Sequence, residues 1–162
     1  MTCEIGDTAP DFTLPGTDGA EEFTVTLSAL RPAPVVLFFY PRDNTSGCTR
    51  EAKDFSALKD AFDALGVKVF GISKDSIASH RRFIEKQGLT VPLLSDAESD
   101  VAERYGVWQE KKMYGRTFFG IERSTFLIDG AGRIARAWRK VKVPGHAEAV
   151  LAAARELARE AG

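Results

Sequence analysis

The chain has 162 residues, 44 % apolar and 28 % charged, which suits one soluble globular domain with a sizeable core. A formal net charge of −1 argues against a dedicated nucleic-acid or membrane-surface binder. No apolar run approaches bilayer length, and the start Met1-Thr2-Cys3-Glu4 lacks the basic and apolar regions of a secretory leader. A cytoplasmic protein is expected. Cys3 and Cys48 form neither a disulfide framework nor a CxxC pair, and His80 and His146 have no metal-ligand spacing, so no metal or cofactor is expected.

In chain order, residues 11–14 and 23–27 read as short strands separated by a turn at 15–19. Residues 35–40 form a continuous apolar strand of the kind covered on both faces. Ala52, Phe55, Leu58, Phe62 and Leu65 recur at steps of three and four, which predicts one amphipathic helix over 47–65, stopped by Gly66. A strand at 67–73, a helix at 76–87 ended by Gly88, a short strand at 91–94 and a helix at 100–105 follow. Residues 107–120 show no regular pattern.

Residues 123–128 and 133–138 predict a hairpin around 129–132, and Pro144 opens a last helix with Val150, Leu151, Ala154, Leu157 and Ala158 on its apolar face. Arg133, Arg136, Arg139, Lys140 and Lys142 read as a solvated strand face. The whole is a mixed α/β arrangement in one domain over 1–162, without repeat or linker. The pattern alone leaves several small doubly wound folds open.

Chemistry concentrates where the apolar strand ends at Pro41 and a polar turn delivers Cys48 at a helix start. A thiol attacks as thiolate, and a helix N-terminus favours the anion through its dipole and unpaired amides. Thr45 is placed to set a hydroxyl beside the sulfur, Pro41 to shape a turn that shields it, and Glu51 stands one helical turn further on. Alternation puts Arg123, Thr125 and Leu127 on one strand face, and a guanidinium there would stabilise the thiolate and charge developing on a substrate oxygen. Glu51 would then hold Arg123 by a paired contact. Phe39, Tyr40 and Trp108 read as core packing, with an apolar collar for the site as the alternative.

Pro41-x-x-x-Thr45-x-x-Cys48 resembles the peroxiredoxin active-site pattern, and Gly47-Cys48-Thr49-x-Glu51-Ala52 is similar to its bacterioferritin-comigratory-protein, or Q-type, branch. The likeness continues through Gly71-Ile72-Ser73, Pro92-Leu93-Leu94-Ser95-Asp96, Tyr105-Gly106-Val107-Trp108, Glu110-Lys111-Lys112-Met113-Tyr114-Gly115 and Arg123-Ser124-Thr125-Phe126-Leu127-Ile128-Asp129. The resemblance implies a thioredoxin-like fold, a central mixed sheet flanked by helices, with N-terminal additions. It implies a thiol peroxidase whose Cys48 becomes a sulfenic acid on reaction with hydrogen peroxide or small organic hydroperoxides. It also implies a monomer or weak homodimer.

The chain departs from that branch in recycling. Lys53 and Ile84 occupy the two positions where many members carry a resolving cysteine. Cys3, the other thiol, reads as an incidental residue of a mobile tail, with a resolving role as the alternative. A one-cysteine enzyme recycled by thioredoxin, glutaredoxin or glutathione is expected. A redox sensor or client-binding protein without efficient turnover is the alternative of another class. A disulfide reductase fits poorly, because Thr45 stands where its first cysteine would be and no proline directly precedes the 124–128 strand.

Overall fold

The computed structural model describes residues 3–161. Strands Thr13–Thr17 (β1) and Glu22–Thr26 (β2) pair antiparallel and lead through a 3₁₀ turn, Leu27–Leu30, into Val35–Phe39 (β3). Helices Ser46–Ala57 (α1) and Lys59–Ala64 (α2) precede Lys68–Ser73 (β4), and Ile77–Gln87 (α3) precedes Leu93–Ser95 (β5). After the short helix Val101–Arg104 (α4) come Trp108–Met113 (β6), Arg116–Ile121 (β7), Ser124–Ile128 (β8), Ile134–Trp138 (β9) and the last helix, His146–Ala161 (α5). Seven strands form one mixed sheet in the order β2-β1-β5-β4-β3-β8-β9, while β6 and β7 form a separate ribbon. β3 lies near the centre, parallel to β4 and antiparallel to β8.

Strand alternation divides the core in two. Val35, Leu37 and Phe39 face a cluster with Cys3, Phe12, Val101 and Tyr105. Val36, Phe38 and Tyr40 face the cluster built from α1, α2, α3 and α5, which contains Cys48. Phe55 of α1 stacks on Phe38 at 4.6 Å between ring centroids. Burying each such ring is worth about 2–3 kcal/mol, so this contact fixes how α1 lies on the sheet.

Four expectations are corrected. β1 runs through Pro15, Gly16 and Thr17, and the turn starts only at Asp18; pairing to β5 covers Gly16 and Thr17 alone, so Pro15 lies beyond that ladder, where a missing N–H is tolerated. The helix expected over 47–65 is broken at Leu58 (φ −100°, ψ 4°), and Thr90 Oγ1 donates at 3.0 Å to the Ser56 carbonyl that a continuous helix would use. Residues 108–121 form the regular β6–β7 ribbon. On α5, Ala158 is exposed and Ala153 joins the buried face instead.

The basic segment is also more than a solvated face. Arg133 Nη1 donates to the Gly6 carbonyl at 3.2 Å, and Arg136 meets Glu156 and Glu160 at 3.6 and 3.8 Å. Arg139 donates to the Cys3 carbonyl and lies over Phe126. α3 starts as its sequence predicts, with Ser76 Oγ accepting from the Ser79 amide at 3.1 Å, and ends at Gly88, whose φ of 63° suits glycine. No helix among the described residues is long and apolar enough to cross a membrane.

Candidate active site

Cys48 is the third residue of α1 and 1 % exposed. The first helical bond runs from the Thr49 amide to the Thr45 carbonyl at 2.9 Å. The amides of Ser46, Gly47 and Cys48 therefore precede the helical ladder, at the positive end of the helix dipole. Arg123 reaches the same point from the link between β7 and β8. Its Nη2 lies 3.3 Å from Cys48 Sγ, and its Nη1 donates to Glu51 Oε1 at 2.7 Å. A Cβ on Gly47 would stand 3.1 Å from that Nη2, closer than ordinary packing, so glycine makes room for the guanidinium.

Burial pushes the Glu51 carboxyl up to about 7 against the opposing pull of Arg123, and its Oε2 has no hydrogen-bond partner among the described residues. Burial disfavours the Arg123 charge, but Glu51 and Cys48 outweigh it and hold the guanidinium more firmly protonated than usual. One half-buried cation is thus shared between a carboxyl and a sulfur. The arrangement can hold a thiolate and neutralise charge appearing on an oxygen beside it.

The loop before α1 is pinned from below. Tyr40 donates its last ladder bond to Ile72 O at 3.1 Å, and Pro41, without an N–H, ends the strand. Asn44 takes a left-handed conformation (φ 63°), a region asparagine tolerates, and turns the chain toward α1. Asp43 is buried. Its carboxylate accepts from Tyr40 OH at 2.6 Å and Ser79 Oγ at 2.8 Å and meets His80 Nδ1 at 2.7 Å, while its amide donates to Asp75 Oδ2 at 2.8 Å. His80 Nε2 lies 2.9 Å from the Leu94 carbonyl, which can only accept, so this nitrogen carries a hydrogen. The active-site loop is therefore tied to α3 and β5.

The structure brings together Cys48, Glu51 and Arg123 by direct contact and places Thr45 at the N-cap. Thr45 Oγ1 donates to the Arg42 carbonyl at 2.9 Å, which leaves its lone pairs as acceptors. Phe39 and Trp108 pack on the opposite face of the sheet from Cys48, as core residues; Tyr40 shares the Cys48 side but is buried. Cys3 does not sit on a loose tail. It is buried on the far face, with Sγ 3.6 Å from the Arg104 carbonyl. Of the two positions where a resolving thiol was sought, Lys53 is exposed on α1 and Ile84 is buried on α3.

Sequence reasoning missed Gly47 and the Asp43–His80 anchor. Gly47 was visible as the small residue before the cysteine; the anchor joins residues 37 positions apart and left no local signal.

The AhpC/TSA family profile matches residues 5–137. Peroxiredoxin Bcp of Xanthomonas campestris pv. campestris is 50 % identical over 126 residues, covering 78 % of this chain and 79 % of the relative. Peroxiredoxin Bcp of Bacillus subtilis is 48 % identical over 146 residues, 90 % of this chain and 91 % of the other. The solved structure of the Xanthomonas campestris bacterioferritin comigratory protein superposes with a TM-score of 0.86 at 44 % identity, covering 96 % of this chain and 98 % of that one. The fold is thioredoxin-like, and the chain belongs to the AhpC/TSA family as a thiol peroxidase of the peroxiredoxin Bcp, or Q-type, branch.

Proposed function

We propose that one unit spanning residues 1–162 reduces hydrogen peroxide and small organic hydroperoxides through a sulfenic acid on Cys48. The thiolate attacks the terminal peroxide oxygen, the S–O bond forms as the O–O bond breaks, and the remaining oxygen leaves with the electron pair as hydroxide or alkoxide. The contact between Arg123 Nη2 and Cys48 Sγ at 3.3 Å, held by Glu51, carries this reading. Arg123 lies against the attacking sulfur and draws the charge that develops on the departing oxygen. Thr45, with its own proton on the Arg42 carbonyl, accepts from the hydroperoxide O–H. Pro41 closes the turn and screens the sulfur from bulk water. The Xanthomonas relative is described for alkyl peroxide reduction, which supports organic hydroperoxides as substrates here.

Recycling uses an external thiol: thioredoxin, glutaredoxin or glutathione. Its thiolate attacks the sulfenic sulfur, the S–S bond forms as the S–O bond breaks, and the departing hydroxide takes a proton from solvent to leave as water; a second thiol then releases Cys48 from the mixed disulfide. The absence of cysteine at positions 53 and 84 supports this one-cysteine route. The protein works in the cytoplasm as a monomer or weak homodimer. Intact-protein mass spectrometry after one equivalent of peroxide, with dimedone as trap, tests the reading. One dimedone adduct on Cys48, lost when glutathione or thioredoxin is present, is expected. Oxidation that no thiol reverses would indicate a sensor in place of a turning-over enzyme.

A further inference from the structure

The Arg123 guanidinium carries one positive charge and touches two groups that can each become an anion. Its Nη2 lies 3.3 Å from Cys48 Sγ, and its Nη1 donates to Glu51 Oε1 at 2.7 Å. Cys48 and Glu51 are each 1 % exposed and the Arg123 side chain 17 %, so water does little to screen a charge here. Glu51 Oε2 is buried without a hydrogen-bond partner among the described residues. A carboxylate would leave part of its charge on that oxygen, whereas a neutral carboxyl leaves only an O–H. The other charges around the pocket do not supply a second cation to Glu51. Asp54, further along α1, opposes its ionisation and faces Arg50 at 3.9 Å. His146, at the start of α5, is pushed down to about 4 by burial and by Arg123, so it is neutral. Lys111 of β6 donates to the Ile121 carbonyl at 2.6 Å.

We propose that Cys48 and Glu51 share a single negative charge across Arg123, so that Glu51 holds a proton while Cys48 is a thiolate and releases it when the sulfur becomes a sulfenic acid. The proposal rests on the peroxidase reading above. With both groups ionised the buried trio is left with a net negative charge; with one ionised it is neutral, the state a buried site favours. When the thiolate attacks, the S–O bond forms as the O–O bond breaks. The departing oxygen takes the electron pair and a proton from solvent. The sulfur is then neutral and Arg123 has lost one anion. Glu51 gives its proton to solvent and becomes the carboxylate that replaces it. Thiolate, hydroperoxide and carboxyl have become sulfenic acid, water or alcohol, and carboxylate, so no proton is taken up overall. When the reductant restores the thiolate, Glu51 takes its proton back. The guanidinium therefore keeps one counter-charge at both stages and stays in place for the reductant. The rise of the Glu51 carboxyl to about 7 agrees with a proton that exchanges near neutrality.

Infrared difference spectra of the protein before and after one equivalent of hydrogen peroxide, taken at about pH 6, read the carboxyl directly. The parent should lose the C=O stretch of a protonated carboxyl and gain carboxylate stretches. Isotope-labelled glutamate should shift both bands, which assigns them to a glutamate without any substitution. Glu51→Gln should show neither band. Proton counting with a pH indicator in weak buffer gives a second readout. The parent should take up almost no protons as Cys48 is oxidised, while Glu51→Gln, whose amide cannot ionise, should take up about one per sulfur. Thiolate absorbance before peroxide is added shows that both proteins start from the anion. A parent without that absorbance, one that keeps its carboxyl band, or one that takes up about one proton would overturn the proposal. A parent that gives no dimedone adduct on Cys48 after peroxide would overturn the peroxidase reading itself, and that result is recognisable before either measurement.

Discussion

The two thiols of this chain are both buried, and they lie on opposite faces of one sheet. Cys48 sits in the first turn of α1 with a guanidinium 3.3 Å from its sulfur. Cys3 sits against the Arg104 carbonyl, and burial raises its pKa although Arg139 pulls the other way. Cys3 is 8 % and Cys48 1 % exposed, so accessibility does not separate them. What separates them is charge: one is placed among donors that suit an anion, the other is capped by an acceptor that suits S–H. Burial makes a thiol inert only where nothing in the surroundings pays for the thiolate.

Removing the sulfur on one side should give the largest effect. Cys48→Ser should abolish peroxide consumption while circular dichroism and thermal unfolding stay near the parent, because a hydroxyl in the same place is a far poorer nucleophile. Activity retained within tenfold would move the chemistry away from α1.

The next effect comes from taking the charge away and leaving the sulfur. Arg123→Ala should lower the rate constant with peroxide by about 10²-fold or more, the scale of a lost preorganised electrostatic contact. Thiolate absorbance at fixed neutral pH should fall with it. Arg123→Lys should rescue poorly, since a single ammonium cannot touch Cys48 Sγ and Glu51 Oε1 in the planar geometry that Nη2 and Nη1 now share. Unchanged rate and absorbance in Arg123→Ala would make the contact incidental.

Glu51 sharpens the comparison through pH. Burial raises its folded-state pKa to about 7, while in the unfolded chain it titrates near 4.5. Between those values the folded protein holds a proton that the unfolded chain has lost, so the stability contributed by the protonated carboxyl is complete below 4.5 and fades as pH rises through 7. Glu51→Gln cannot ionise. Urea unfolding at several pH values should therefore show the variant gaining on the parent by ~2 kcal/mol between pH 5 and 8, most of it before the parent carboxyl is fully ionised. A difference independent of pH would show that Arg123 keeps Glu51 ionised throughout.

These effects differ in how visible their residues are in the chain. β3, β4 and β8 are apolar runs and were readable as strands; Ser76 and Gly88 marked the ends of α3. Cys48 and Glu51 were readable because one helical turn joins them. The β6–β7 ribbon was not, because it stands outside the main sheet and leaves Phe118 and Phe119 exposed at 42 % and 59 %, so no alternation toward a core marks it. Leu58 looked helical by spacing, and only the distant Thr90 explains the break. Asp43 and His80 act through a contact that folding creates.

The smallest expected effect is on the other thiol. Cys3 belongs to the cluster facing Val35, Leu37 and Phe39, and Cys48 to the one facing Val36, Phe38 and Tyr40. The sheet itself stands between them, and a disulfide needs Cα atoms within about 7 Å. The segment carrying Cys3 is held to β9 and its turn by Gly6 N–H to Ile134 O at 2.8 Å and Ala9 N–H to Gly132 O at 2.9 Å, with Arg139 on the Cys3 carbonyl. Swinging Cys3 round to α1 would break all of these. Cys3→Ser should therefore leave steady-state turnover with glutathione or thioredoxin within about twofold of the parent and lower stability by about 1 kcal/mol, the usual cost of an ordinary core substitution. The oxidised parent should likewise show a sulfenic or mixed-disulfide Cys48 and a free Cys3. A quantitative Cys3–Cys48 disulfide, within one chain or between two, together with collapsed turnover in Cys3→Ser, would mean that the far face opens during catalysis and that the one-cysteine route is wrong.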